Sequence, residues 1–176
     1  MNRFPAPNLF PALLLLLATA APAAPPLPTS ELAAHIDAVT KGMAEAQARS
    51  LGKSAAFCAG QQLPPGRQLE SSLKAYVAAF AAGSQAAMSE IAQRDKDFVR
   101  STPPMSAKDL EGADQSAQLL LKRVQSAPAQ ECAGLSGYLE AGTAEKVKDF
   151  TLQSYQEFKA KRAEYCARQP KPKNCP

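Results

Sequence analysis

Apolar positions along this chain recur at intervals of three and four, the period of one helix face. Leu32, Ile36, Val39 and Met43 predict a first helix over residues 31–51, capped by Ser30 and stopped by Gly52. Leu69, Leu73, Tyr76, Val77 and Phe80 predict a second over 67–100, continued less regularly by Met88, Ile91, Phe98 and Val99. Its middle, Ala78 to Ala87, is built from small residues around Gly83, either a close-packing site or a bend; of the two, a kink is expected. Leu110, Ala113, Ala117, Leu120, Leu121 and Val124 mark a third helix over 107–125, with Ser106 and Asp109 as a capping box. The last, over 130–168, carries Leu135, Tyr138 and Leu139, then Val147, Phe150, Thr151, Ser154, Tyr155 and Phe158. A break is expected at Gly142-Thr143, with Thr143 recapping the chain.

The punctuation agrees. A loop over 53–66 contains Cys58 and ends in Pro64-Pro65-Gly66; Ser101-Thr102-Pro103-Pro104 closes the second helix; Pro128 marks the next turn. Pro170, Pro172 and Pro176 exclude further helix. No strand-like alternation is present. The expected fold is all-α: an antiparallel helical bundle of four main helices. At 1.5 Å per residue these measure about 31, 51, 29 and 59 Å. The two long ones are therefore expected to kink, at Gly83 and Gly142.

The first residues change the picture of where the protein works. Arg3 precedes an apolar run, Leu9 to Ala18, followed by Ala18-Thr19-Ala20 and Ala21-Pro22-Ala23. This is the layout of a cleavable signal peptide over 1–23, with mature protein starting at Ala21 or Ala24. Pro11 interrupts the run, which is shorter than the roughly 20 residues of a membrane span. Residues 24–28 form a proline-rich leader, and 29–176 a single helical domain with a Pro/Lys-rich tail. The expected location is the periplasm.

An oxidising compartment makes disulfides the default for Cys58, Cys132, Cys166 and Cys175. No CxxC pair exists and His35 is the only histidine, so zinc is not expected. In an up-down bundle Cys58 and Cys132 fall at one end, Cys166 and Cys175 at the other. Two staples are therefore expected, Cys58–Cys132 and Cys166–Cys175.

Alanine at 35 of 176 positions, with no tryptophan, supports close helix packing. Charge is placed unevenly. Residues 159–176 hold Lys159, Lys161, Arg162, Arg168, Lys171 and Lys173 against Glu164, so 6 − 1 = +5; residues 21–158 hold 13 basic and 15 acidic groups, so −2. This end suits an anionic surface or acidic partner, and it equally suits the dipole of a helix C-terminus. Nucleic acid is not expected of an exported chain without a recognition motif.

No catalytic constellation emerges. His35 has no nucleophile near it in sequence, and Ser136 within Gly134-Leu135-Ser136-Gly137 lacks a strand-turn-helix setting. Asp95 and Asp97, interleaved with Arg94, Lys96 and Arg100, have the pattern of a solvated charged face, and Glu140 with Glu145 forms no recognisable acid–base pair. Phe150 and Phe158 are assigned to the core. Tyr155 and Tyr165, near the basic end, join Lys159, Lys161, Arg162 and Arg168 as candidate partner-binding residues. The expectation is a non-enzymatic, cofactor-free periplasmic protein that binds another protein, as an inhibitor or immunity-type factor does. The alternative is a structural or ligand-carrying envelope protein with a pocket between helices.

Overall fold

The computed structural model describes residues 29–61 and 68–168. The expected signal peptide, leader, Pro64-Pro65-Gly66 turn, Lys171, Lys173 and Cys175 lie outside the described residues, and with Cys175 the expected Cys166–Cys175 pairing. Six helices make up the described chain: α1 (Thr29–Gly60), α2 (Leu69–Arg94), α3 (Lys96–Ser101), α4 (Ala107–Ser126), α5 (Pro128–Ala141) and α6 (Ala144–Arg168). Among the described residues there is no strand.

Several boundaries follow the expected chemistry. The Ser106 hydroxyl accepts from the Asp109 amide at 3.3 Å, and the Asp109 carboxylate accepts from the Ser106 amide at 2.8 Å. This closes the capping box that starts α4. Pro128 occupies the first turn of α5, where its missing N–H costs nothing. Gly142 ends α5, and the Thr143 hydroxyl accepts from the Lys146 amide at 3.3 Å to start α6. Gly142 is required there: a Cβ would collide with the Tyr76 ring.

Several expectations are corrected. Gly52 does not stop α1, and Ser30 lies within it rather than capping it. Leu51, Ala55 and Cys58 continue the buried stripe at spacings of four and three, so burial outweighs the glycine penalty of about 1 kcal/mol. Cys58 is thus helical rather than in a loop. α2 runs unbroken through Gly83, and the close-packing reading of this stretch holds: a Cβ there would strike the Ala144 carbonyl, so the glycine is a notch that lets α6 approach. The break falls instead at Asp95, whose φ −147° and ψ 76° separate α2 from α3.

Chain directions follow from residue pairs. The late residues of α1 share a core with the early residues of α2 (Leu69, Tyr76 and Phe80). Leu32, Ile36 and Val39 share a second core with Met88, Ile91 and Ala92. The two helices are therefore antiparallel. α4 runs with α1: Met105 abuts Gly42, Arg49 pairs with Asp114 at 3.3 Å, and Cys132, just beyond α4, meets Cys58. α5 and α6 run with α2: Tyr138 meets Tyr76, Ala144 meets Gly83, and Lys159 meets Asp95.

Direction thus alternates along the chain, but the packing order is α4, α1, α2, α6, with α5 touching α1, α2 and α4 at one end. Only α1 and α2 among the long helices are both consecutive and side by side. α1 permits this because its buried face is wide; Ala46, Gln47, Ser50 and Leu51 are all buried, so it takes a neighbour on either side.

The Cys58–Cys132 disulfide forms as expected, across a sequence separation of 74. In the chain-entropy model a loop of that length contributes about 4.5 kcal/mol.

Candidate functional site

The end of the molecule remote from this disulfide carries the groups with chemical interest. Asp95 is the N-cap of α3 and accepts from the Phe98 amide at 3.0 Å. Its Oδ2 also accepts from the Tyr155 hydroxyl and the Lys159 ammonium, each at 2.8 Å. One carboxylate therefore ties the α2–α3 joint to α6. Burial works against ionisation of Asp95, but the bonds from Lys159, the Phe98 amide and Tyr155 outweigh it and hold its pKa below 3.8. Burial, reinforced by the adjacent carboxylate, pushes Tyr155 up from 10.0 to about 12. A tyrosine and a lysine four apart on a helix can form an acid–base pair when the ammonium eases phenol ionisation. Here Asp95 stands between them and makes the phenol a poorer acid, which is the wrong direction for a base near neutrality.

A second cross-link lies further back on the same seam. Lys148 pairs with Glu90 at 2.8 Å, and Arg94 pairs with Glu90 at 2.7 Å. The hydrogen bond from Lys148 holds Glu90 below its ordinary value, and Glu90 in turn raises Lys148. These pairs are partly exposed, so solvent screens them and they add little to stability.

Between α1, α2, α3 and α6 lies an apolar cavity of about 40 Å³. Val39, Met88, Ile91, Thr151 and Tyr155 form its buried floor; Met43, Phe98 and Met105, half-buried, and exposed Pro103 form its rim. Every methionine after Met1 is in this lining. The hydroxyls in the wall are already engaged: Thr151 donates to the Val147 carbonyl at 2.8 Å, Thr102 to the Phe98 carbonyl at 3.0 Å, and Tyr155 to Asp95 at 2.8 Å. The cavity accordingly offers dispersion contacts and no polar grip. At about 24 cal/mol per Å³, leaving it unfilled costs about 1 kcal/mol.

The candidate binding residues divide along α6. Val147, Thr151, Tyr155, Phe158, Arg162 and Tyr165 follow one another at spacings of four and three, so they form one stripe. Val147, Thr151 and Tyr155 are buried, Phe158 is half-buried, and Arg162 and Tyr165 are exposed, Tyr165 by 53%. The packing face of α6 thus runs off the end of the body. Phe158 meets Phe98 at a tilt, with ring centroids 5.6 Å apart, and Tyr155 meets the same ring edge-on at 4.8 Å. Lys161 and Arg168 flank Tyr165 at spacings of four and three, and Arg168 pairs with Glu164.

Tyr155 and Lys159 therefore belong to the seam, with Tyr155 only 7% exposed. Lys161, Arg162, Tyr165 and Arg168 share an exposed tip. Phe150 is 40% exposed, so its assignment to the core is corrected; it stands beside the stripe, one position before Thr151.

Other candidates have structural employment. His35 Nε2 lies 3.1 Å from the Val99 carbonyl and 3.0 Å from the Thr102 carbonyl, holding the C-terminus of α3 to α1. Ser136 donates to Glu140 at 2.9 Å on its own helix. Asp97 pairs with Arg100 at 3.5 Å. Among the described residues no group of His, Cys, Asp and Glu is arranged to hold a metal ion, and no helix is long and apolar enough to cross a membrane.

Sequence reasoning missed Asp95 as a cap and the cavity with its three methionines. An acid followed three residues later by Phe98 was the available signal for the cap. Met43, Met88 and Met105 come from separate parts of the chain, and no spacing joins them. No family model, curated protein or solved structure matches the chain.

Proposed function

We propose that this chain is exported through a cleavable signal peptide and works in the periplasm as a non-enzymatic protein that binds another protein through the tip of α6. The observation that carries this reading is the stripe that leaves the body: past Phe158 the face of α6 that packs elsewhere presents Arg162 and Tyr165, flanked by Lys161 and Arg168. Aromatic and arginine side chains supply most hot-spot energy at protein interfaces. Counting Lys159, Lys161, Arg162 and Arg168 against Glu164, residues 159–168 carry 4 − 1 = +3, so the partner surface is acidic. An inhibitor or immunity-type role suits a rigid helical body of this kind.

The Cys58–Cys132 bridge supports an oxidising compartment. A second bridge, Cys166–Cys175, belongs to the same proposal and would tie the tail back to the tip. The alternative, a ligand carrier, would have to use the cavity. Its volume of about 40 Å³ is well below the roughly 150 Å³ that accommodates benzene, so it suits one side chain better than a carried molecule.

The test is capture of the partner from the native envelope by the mature oxidised protein, followed by association measurements at low and high salt. Exposed charges more than about 8 Å apart are screened at physiological ionic strength. Binding should weaken as salt rises, and K161E/R162E/R168E should slow association. Lys159 is left intact because Asp95 depends on it. Equal rates throughout would return the tip to a solvated helix end.

A further inference from the structure

We infer that the cavity between α1, α2, α3 and α6 is a thioether site for one soft monovalent cation of the copper(I) class, with Met43, Met88 and Met105 as its ligands. The site stands apart from the tip of α6, so it holds or fails independently of the proposed protein-binding role.

The three side chains are brought together from separate parts of the chain. All of them line the cavity. Met43 packs against the core that contains Met88. Met105 is seated over Gly42, the chain neighbour of Met43, so closely that a Cβ on Gly42 would lie 2.9 Å from its Cβ and Cγ. The glycine thus lets Met105 close on α1 beside Met43. Any aliphatic residue would fill such a space, but the chain has only four methionines, and the three that follow Met1 all stand here.

The lining selects the kind of ion. A thioether is a neutral, polarisable donor, and soft donors of this type favour copper(I) over the divalent ions that imidazole and carboxylate hold. No histidine, cysteine, aspartate or glutamate lines the cavity. His35, the nearest candidate of that type, is engaged with the Val99 and Thr102 carbonyls. Neutral donors suit a single positive charge better than two, because a buried charge without a counter-charge is costly. Phe98 and Tyr155 line the same space, and an aromatic face within about 6 Å adds attraction for a cation.

Size and access agree. The volume of about 40 Å³ exceeds the roughly 10–15 Å³ that a water molecule requires, so one bare ion fits. Methionine has three rotatable bonds, which let the sulfurs close around it. Met43 and Met105 are half-buried at the rim and Met88 is buried beneath them, which gives an ion a path from solvent.

The probe is silver(I), a redox-inert stand-in for copper(I), added as the nitrate without chloride to the full oxidised chain carrying isotope-labelled methionine methyls. Among the described residues no free thiol competes for it. The methyl signals of Met43, Met88 and Met105 should shift together and saturate at one equivalent, and zinc(II) should move none of them. M43L and M105L keep the volume and apolar character of the wall. Each should weaken silver(I) binding at least about tenfold, the loss that follows changes even in outer-shell partners of a metal site. M43L/M88L/M105L should abolish it. Thioethers carry no proton, so affinity should be equal at about pH 5.5 and about pH 8, whereas a histidine ligand would lose affinity on acidification. The methyl titration uses unaltered protein, so a misfolded variant does not obscure it. Methyl signals that stay in place, or that move singly without saturating, would overturn the site. So would one-equivalent binding that survives the triple variant or is lost in acid, which would point to His35 instead.

Discussion

The two ends of the α1–α2 hairpin are built from different interactions. At one end Cys58 and Cys132 are fully enclosed, Leu69 is 0% exposed, and the Tyr76 and Tyr138 hydroxyls share a hydrogen bond of 2.8 Å. Burial pushes both tyrosines above the ordinary phenol value. At the other end the cysteine bridge is replaced by ion pairs, an N-cap and a cavity, and α6 buries only Val147, Thr151 and Tyr155 of its 25 residues. The less completely packed end is the one that presents charge and an aromatic ring. Loosely held elements of this kind are where binding surfaces commonly reside.

The contrast is broken most severely by removing the staple. C58A/C132A should lower unfolding free energy by about 4 kcal/mol, read from the denaturant midpoint of the oxidised and variant proteins. Next, D95A removes an N-cap and the acceptor of Tyr155 and Lys159, and should cost about 2 kcal/mol. D95N keeps an acceptor for the cap and should cost less. If D95A were neutral, the seam would owe nothing to this carboxylate.

Two glycines sharpen the comparison at smaller scale. Gly83→Ala forces a methyl against the Ala144 carbonyl and Val147. Overpacking of about 1–3 kcal/mol should exceed the helix-propensity gain of about 1 kcal/mol, leaving a net loss. Gly52→Ala meets nothing within 4 Å and should stabilise by about 0.5–1 kcal/mol. Thermal melts of the pair should move in opposite directions.

The pH dependence of the seam has two limbs. Asp95 titrates below 3.8 in the folded state, so its contribution is intact at neutral pH and is lost as acid carries pH down through that lowered value. Tyr155 is raised from 10.0 to about 12, so its contribution is full below 10 and is lost as pH rises toward 12. Stability curves of D95N and Y155F should each flatten one limb. A variant that leaves its limb unchanged would remove that residue from the account of the seam.

Much of the fold was legible in the sequence because periodicity and caps are local signals. The Ser106–Asp109 box, the Gly142-Thr143 break and the Cys58–Cys132 pairing required nothing beyond neighbouring residues and chain direction. Gly52 and Gly83 were illegible for a shared reason: a glycine in a helix signals a stop, a kink or a notch, and only the facing atoms decide which. Asp95 lay hidden among alternating charges that resemble a solvated face. The side-by-side order of helices also depends on how wide each buried face becomes after packing. Of the candidate site, the basic character of α6 was readable, while the division between Tyr155 on the seam and Tyr165 on the tip depends on where the body ends.

The most direct measurement places a photo-crosslinking residue at position 165 on the tip, or at position 122, where exposed Lys122 sits on α4 toward the stapled end. Each variant is illuminated in its native envelope at low and high salt. The expected result is a discrete adduct from position 165 that fades as salt rises, and none from position 122. A salt-insensitive adduct from position 122 with none from 165 would contradict the assignment of function to the loosely packed end.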